Sequence, residues 1–240
     1  MDVVVVSDNP SNSNNTSKRG YTTVYRLEKS GLRALSRYLG DFLPREAATA
    51  LKDEIIALVP TYTQDVIPTP RGPTPAPRLT CTYGPSGALY KYAGFERAPV
   101  TEWPVLLLAC KERAEQVVGC ELNYAFVNVY RDGKDSIDWH SDGESDIIPG
   151  STIVSVSLGA EREFRIREIY KVGKDTPTPV TKVVLEHGSL LTMEHDMQKL
   201  CKHCVPKNER VTGVRVNITF RLMKLCETTP TKIGEKRTRE

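Results

Sequence analysis

From residue 121 to residue 222 the chain alternates apolar and polar side chains with a period of two, in short segments broken by Gly, Pro and Asp turns. The segments 121–130, 151–159, 163–168, 181–186, 189–193, 202–206 and 214–222 read as strands. Many short strands in succession, with no helix between them, fit an antiparallel sandwich or jelly roll. Two amphipathic helices precede them. The first begins near Pro44, a favoured first-turn residue, carries Ala47, Ala48, Leu51, Ile55 and Leu58 on one stripe, and stops before Pro60. The second is expected from Thr101 to Gly119, striped by Trp103, Leu106, Leu107, Cys110, Ala114, Val117 and Val118. The expected fold is α+β and mainly β, with both helices packed on the outside of one sheet. Between the helices, residues 67–78 contain five prolines, which exclude a helix or a central strand and predict a long extended loop.

The 240 residues suffice for one generous domain. We expect a disordered N-terminal arm over residues 1–20, a folded domain over 21–225 and a basic flexible tail over 226–240. A net charge of +3 permits a polyanionic partner without demanding one. The longest apolar run, 105–110, is far short of the ~18 residues of a membrane helix, so no membrane partner is expected. Six cysteines without a secretion signal predict reduced thiols and a place in the nucleus or cytoplasm. A monomer is the default.

Only four histidines are present. His140 and Asp142 stand two apart in DWHSD, so an extended backbone projects both to one side. One imidazole and one carboxylate can grip a metal, and a second imidazole would complete a facial set that leaves positions open for oxygen. His203, in an apparent strand, is a better third ligand than His187 or His195, which sit at turns. Cys201 and Cys204 flank His203 and leave open a zinc or redox reading of the same stretch. In 214–222, Arg215, Asn217, Thr219 and Arg221 share one face and Val216, Ile218, Phe220 and Leu222 the other. A polar face of this kind is either a wet sheet edge or the wall of a cavity. In a cavity, two guanidinium forks call for an anion such as a small dicarboxylate. Asn128 and Tyr130 offer an amide and a phenol on a matching face.

These pieces resemble the AlkB family of Fe(II)- and 2-oxoglutarate-dependent nucleic-acid dealkylating dioxygenases, most nearly its eukaryotic DNA-repair members. The resembling stretches are 38–51, 77–94, 128–144, 186–193, 203–206 and 215–221. The resemblance implies a double-stranded β-helix. It implies iron held by His140, Asp142 and His203. It implies 2-oxoglutarate held by Asn128, Tyr130, Arg215, Asn217, Thr219 and Arg221, with O2 as oxidant. Tyr90 and Tyr92 match aromatic positions bordering the damaged base, Glu144 an acid that contacts it, and Arg78 and Tyr83 the same substrate-side stretch. The implied partner is alkylated DNA, with RNA as an alternative, and the implied reaction is oxidative demethylation releasing formaldehyde. A protein hydroxylase, a non-catalytic methyl-base reader and a zinc-stabilised binding domain are the rival readings. Two departures stand out: Gly143 occupies a position usually acidic, and the loop 67–78 offers only Ile67 as a bulky apolar wedge. Without a wedge to replace a flipped base, single strands are the expected substrate.

Overall fold

The computed structural model describes residues 20–68, 72–88, 90–92, 95–142, 146–169 and 178–225. The expected arm (all but Gly20) and the expected tail lie outside the described residues.

A hairpin of β1 (Thr22–Lys29) and β2 (Leu32–Leu39) leads into α1 (Arg45–Leu58). The ribbon β3 (Val66–Ile67) and β4 (Thr74–Pro75) follows, then β5 (Leu79–Tyr83) and the short hairpin β6 (Tyr90–Tyr92) with β7 (Phe95–Arg97). Next come α2 (Val105–Val118), β8 (Tyr124–Tyr130), β9 (Ile137–His140), β10 (Ile153–Gly159) and β11 (Arg162–Glu168). The chain continues through β12 (Val180–Leu185), β13 (Ser189–His195), the single turn α3 (Met197–Leu200), β14 (Cys201–Val205) and β15 (Arg215–Arg221). A seven-stranded sheet in the order β1-β2-β13-β10-β15-β8-β5 faces a four-stranded sheet in the order β12-β11-β14-β9. Every strand pairing within these two sheets is antiparallel, as in a jelly roll.

Period-two alternation divides the apolar residues between two cores. Val127 and Val129 of β8, Val154 and Val156 of β10, and Val216, Ile218 and Phe220 of β15 pack under Ala48, Leu51 and Ile55 of α1 and Leu107, Cys110 and Ala114 of α2. The alternate residues, such as Tyr124, Phe126 and Ile153, meet Phe164, Ile166 and Leu185 between the sheets. The helices therefore cover one face of the larger sheet, as expected.

Three local features differ from expectation. Helix α2 starts at Val105 rather than Thr101, because Pro104 takes the N-cap and the residue before a proline is pushed out of helical backbone. Its orphan N–H groups at Leu106 and Leu107 donate to the Glu54 carboxylate of α1 at 3.2 Å, so the second helix is capped by the first. Part of the proline-rich segment pairs: Val66 and Ile67 lie against Pro75 and Thr74. Proline forbids a central strand but not so short an edge ribbon. The β1–β2 hairpin was not anticipated. It turns at Ser30 (φ 52°) and Gly31 (φ 78°), two consecutive left-handed residues that match a two-residue hairpin turn.

Candidate metal centre and co-substrate cavity

Strands β9 and β14 are neighbours, and their register sets His140 opposite His203. The two imidazole rings lie 4.2 Å apart at 62°. Asp142, just past the end of β9, places Oδ1 3.6 Å from His140 Nε2 and 3.8 Å from His203 Nε2. Two metal–ligand bonds of about 2.1 Å span at most about 4.2 Å, so both spacings suit one shared ion. Among the described residues this is the only cluster of three or more His, Cys, Asp or Glu side chains with ligand atoms so close, all within 4.8 Å.

The surroundings orient and prepare the ligands. His140 Nδ1 lies 2.8 Å from the Asp138 carbonyl. A carbonyl only accepts, so the proton resides on Nδ1 and Nε2 keeps its lone pair for a metal. Burial drives the His203 pKa down to about 3, with His140 and Arg221 acting in the same direction and Asp142 opposing, so this ring is neutral and ready to ligate. Burial opposes a charge on Asp142, but the permanent charge and hydrogen bond of Arg221 outweigh it and hold the carboxyl below its usual range. Arg221 Nη2 sits 3.2 Å from Asp142 Oδ2, and the Asp142 N–H donates to Gln198 Oε1 at 2.9 Å.

His140, Asp142 and His203 line one end of a cavity between the sheets, whose walls continue with Phe126, Asn128 and Tyr130 of β8, Ser155 of β10, and Asn217, Thr219 and Arg221 of β15, with Arg78 alongside. Its polar groups form a chain. Arg215 Nη2 donates to Ser157 Oγ at 2.9 Å and to Asn217 Oδ1 at 2.7 Å, Ser155 Oγ donates to Asn217 Oδ1 at 3.1 Å, and Asn217 Nδ2 donates to Thr219 Oγ1 at 3.1 Å. Arg215 is fully buried, and its Nε and Nη1 have no hydrogen-bond partner. Burial pushes its guanidinium down to about 10, so it stays charged at neutral pH. A buried cation with two unused donors calls for an anion.

Residues 36–221 match the 2OG-Fe(II) oxygenase superfamily. The chain belongs to that superfamily, and within it to the AlkB family. It is 37% identical to human DNA oxidative demethylase ALKBH2 over 153 residues, which is 63% of this chain and 58% of that protein. It is 39% identical to rat alpha-ketoglutarate-dependent dioxygenase alkB homolog 3 over 150 residues, 61% of this chain and 50% of that protein. The chain thus spans little more than half the length of these relatives. Arabidopsis thaliana ALKBH2 is 28% identical with 92% of this chain covered and 74% of that protein. The fold is that of the solved structure of OsALKBH1, with a TM-score of 0.53 at 18% identity, covering 78% of this chain and 96% of that one.

The two groups named by the superfamily, Fe(II) and 2-oxoglutarate, fit this AlkB-family chain. Two imidazoles and a carboxylate suit ferrous iron, and the unsatisfied donors of Arg215 suit a carboxylate. The sequence placed all of these residues, and the fold brings them to one cavity and its floor. It separates the two arginines, however: Arg221 stands at the metal end against Asp142, and Arg215 at the far end beside Tyr130.

The expected substrate residues fare differently. Arg78 does line the cavity, but its Nε donates to Asn128 Oδ1 at 2.9 Å, on the co-substrate side. Tyr83 is a correction. Odd-numbered residues of β5 face the helices, so Tyr83 is buried in the helix-side core, with its hydroxyl 3.4 Å from that of Tyr62 and its ring 6.1 Å from Trp103. Tyr90 and Tyr92 lie on β6, paired with Arg97 and Phe95 of β7; their side chains, and all of Glu144, lie outside the described residues.

The rival ligands are engaged elsewhere. His187 Nδ1 accepts the Gly159 N–H at 2.9 Å, and His195 Nε2 meets Arg33 Nη2 at 2.8 Å. Burial pushes the Cys201 and Cys204 thiols up to about 11, and among the described residues neither belongs to a cluster of three or more close ligand atoms. The sequence reading missed Ser155, Ser157 and Arg162. Alternation along β10 was the available signal for the two serines, since they occupy the polar face of that strand.

Proposed function

We propose that this chain is an Fe(II)- and 2-oxoglutarate-dependent dioxygenase that demethylates N-alkylated nucleobases in DNA, such as 1-methyladenine and 3-methylcytosine. The observation that carries the reading is the convergence of His140, Asp142 and His203 on a cavity whose lining residues Asn217 and Tyr130 are backed by the buried Arg215. His140, Asp142 and His203 would hold the iron. Bound there with 2-oxoglutarate and O2, it supplies the oxidation that turns the N-methyl group into formaldehyde, with succinate and CO2 as co-products. Arg215, with Tyr130, fixes the far carboxylate. Asn128, Asn217, Thr219 and Arg221 line the path between that end and the metal. Arg78 steadies the Asn128 amide. Tyr90, Tyr92 and Glu144 would border the base, and aromatic faces attract a cationic lesion.

The identities to ALKBH2 and alkB homolog 3 support DNA as the polymer. The scarcity of bulky apolar residues in 67–78 supports single strands. The enzyme acts as a monomer in the nucleus or cytoplasm on this reading. The test measures formaldehyde and succinate from matched methylated single-stranded DNA, duplex DNA, RNA and a peptide, with and without Fe(II). Metal-dependent formaldehyde, greatest from single-stranded DNA, is expected. Larger yields from RNA or peptide would replace the substrate and keep the chemistry. Binding of methylated DNA without any succinate would make the chain a reader.

A further inference from the structure

Arg162, the first residue of β11, is a second cation in the interior, 2% exposed. Its Cζ lies 5.7 Å from the centre of the Tyr130 ring, and the Cζ of Arg215 lies 5.1 Å from the same centre. Neither guanidinium has a carboxylate within 4.0 Å among the described residues. Two positive charges thus flank one phenol with no carboxylate in contact; Asp135 and Asp132 favour the Arg162 charge only from beyond contact distance, and an anion between the two cations would relieve their mutual repulsion.

Arg162 does make hydrogen bonds: Nη1 to the Asp132 carbonyl at 3.1 Å, and Nη2 to those of Asp135 at 2.8 Å and Pro206 at 2.6 Å. Those acceptors are neutral and do not require a charged donor. The loop they belong to is also held by other means. The Gly133 N–H donates to Val211 O at 2.7 Å, the Asn208 N–H donates to Gly133 O at 2.8 Å, and the Asp135 carboxylate is gripped by Arg131. A Cβ at Gly133 would fall 1.7 Å from Asn208 O, so the loop is already pressed against its neighbour there. The loop's own carboxylates, Asp132 and Asp135, favour the Arg162 charge without contacting it, and the guanidinium still faces Tyr130 on its other side. Its Nε is buried without a partner.

We propose that Arg162 is a positioning residue for the co-substrate: without touching it, its charge behind Tyr130 makes the far end of the cavity select a keto acid bearing a second carboxylate. Arg215 makes the direct contact. Arg162 adds field at the same point, and together the two cations match an anionic tail that a neutral or methyl-ended tail cannot satisfy. The proposal rests on reading the cavity as a 2-oxoglutarate site.

The experiment measures binding, not turnover. The full chain, loaded with Mn(II) under anaerobic conditions, is titrated calorimetrically with 2-oxoglutarate and with 2-oxobutanoate, which has the same keto-acid head and no second carboxylate. For Arg162→Gln the dissociation constant of 2-oxoglutarate is expected to rise about tenfold while that of 2-oxobutanoate stays within about twofold. Equal weakening of both acids, or of neither, overturns the proposal. Arg162→Lys keeps the charge and loses the fork. It is expected to hold 2-oxoglutarate within about threefold of the parent chain. Parallel loss of both acids in that variant shows that Arg162 only staples carbonyls, and decides the matter should Arg162→Gln fail to fold. A parent chain that binds neither acid removes the co-substrate reading itself, and the proposal with it.

Discussion

Strand β15 turns Val216, Ile218 and Phe220 toward the helices, and Arg215, Asn217 and Thr219 toward the cavity. Both faces are buried almost completely. On the helix side these side chains join an apolar core, and each buried one stabilises the fold by about 1.5–3 kcal/mol. On the cavity side the buried groups are polar, and Arg215 and Arg162 carry charges that no carboxylate contacts. One strand thus couples a stabilising surface to a destabilising one, and the first holds the second in place. Function lies on the face that folding alone would not favour.

That contrast can be broken or sharpened by substitution. The largest effect is expected at the metal end. His140→Ala should reduce formaldehyde release to background, while the melting temperature moves by no more than about 4 °C, since the ring is a partly exposed ligand and not a core element. Retained iron-dependent turnover would remove His140 from the ligand set. Next, Arg215→Met should weaken 2-oxoglutarate binding by about 100-fold while leaving stability unchanged or higher, because an apolar side chain replaces an uncompensated buried cation. A large drop in melting temperature in that variant would contradict the division between the two faces.

Across the sheet, Ile218→Ala should do the reverse. It should cost about 2–5 kcal/mol in urea unfolding, with 2-oxoglutarate affinity of the folded fraction nearly unchanged. The smallest effect concerns acid stability at the rim. Burial would raise the Asp135 pKa, but hydrogen bonds from Arg131 outweigh burial and depress it. A depressed carboxyl adds stability above its unfolded pKa of about 4, and the gain is lost as pH falls through the folded value. Asp135→Asn should therefore flatten the acid limb of a pH–stability curve, by less than about 1 kcal/mol because Arg131 is half exposed. An unchanged acid limb would assign Asp135 no net ionic contribution.

Much of the site could be read from the chain because strand periodicity is local. The i, i+2 spacing of His140 and Asp142, and the polar face of 215–221, follow from backbone geometry that needs no partner. The resemblance of six dispersed stretches to one family then joined them. Tyr83 shows where that reasoning fails. Its stretch matched the substrate side, but its parity on β5 sends the ring to the helices, and one residue of register reverses a strand's face. The β1–β2 hairpin was legible in principle from its Ser-Gly turn between alternating segments, and the proline-rich ribbon was obscured by residues that disfavour any strand.

The sequence by itself determined the two-sheet, mainly β architecture, the helices over one face, and the residue types that could meet at a metal. These rest on periodicities of a few residues. The tertiary structure alone decided that His140 faces His203 across β9 and β14, that Arg221 belongs to Asp142 while Arg215 keeps unsatisfied donors, and that Arg162 joins Arg215 around Tyr130. Those are pairings between residues up to many tens of positions apart. Local alternation fixes which way a side chain points, and only the register of neighbouring strands fixes what it meets.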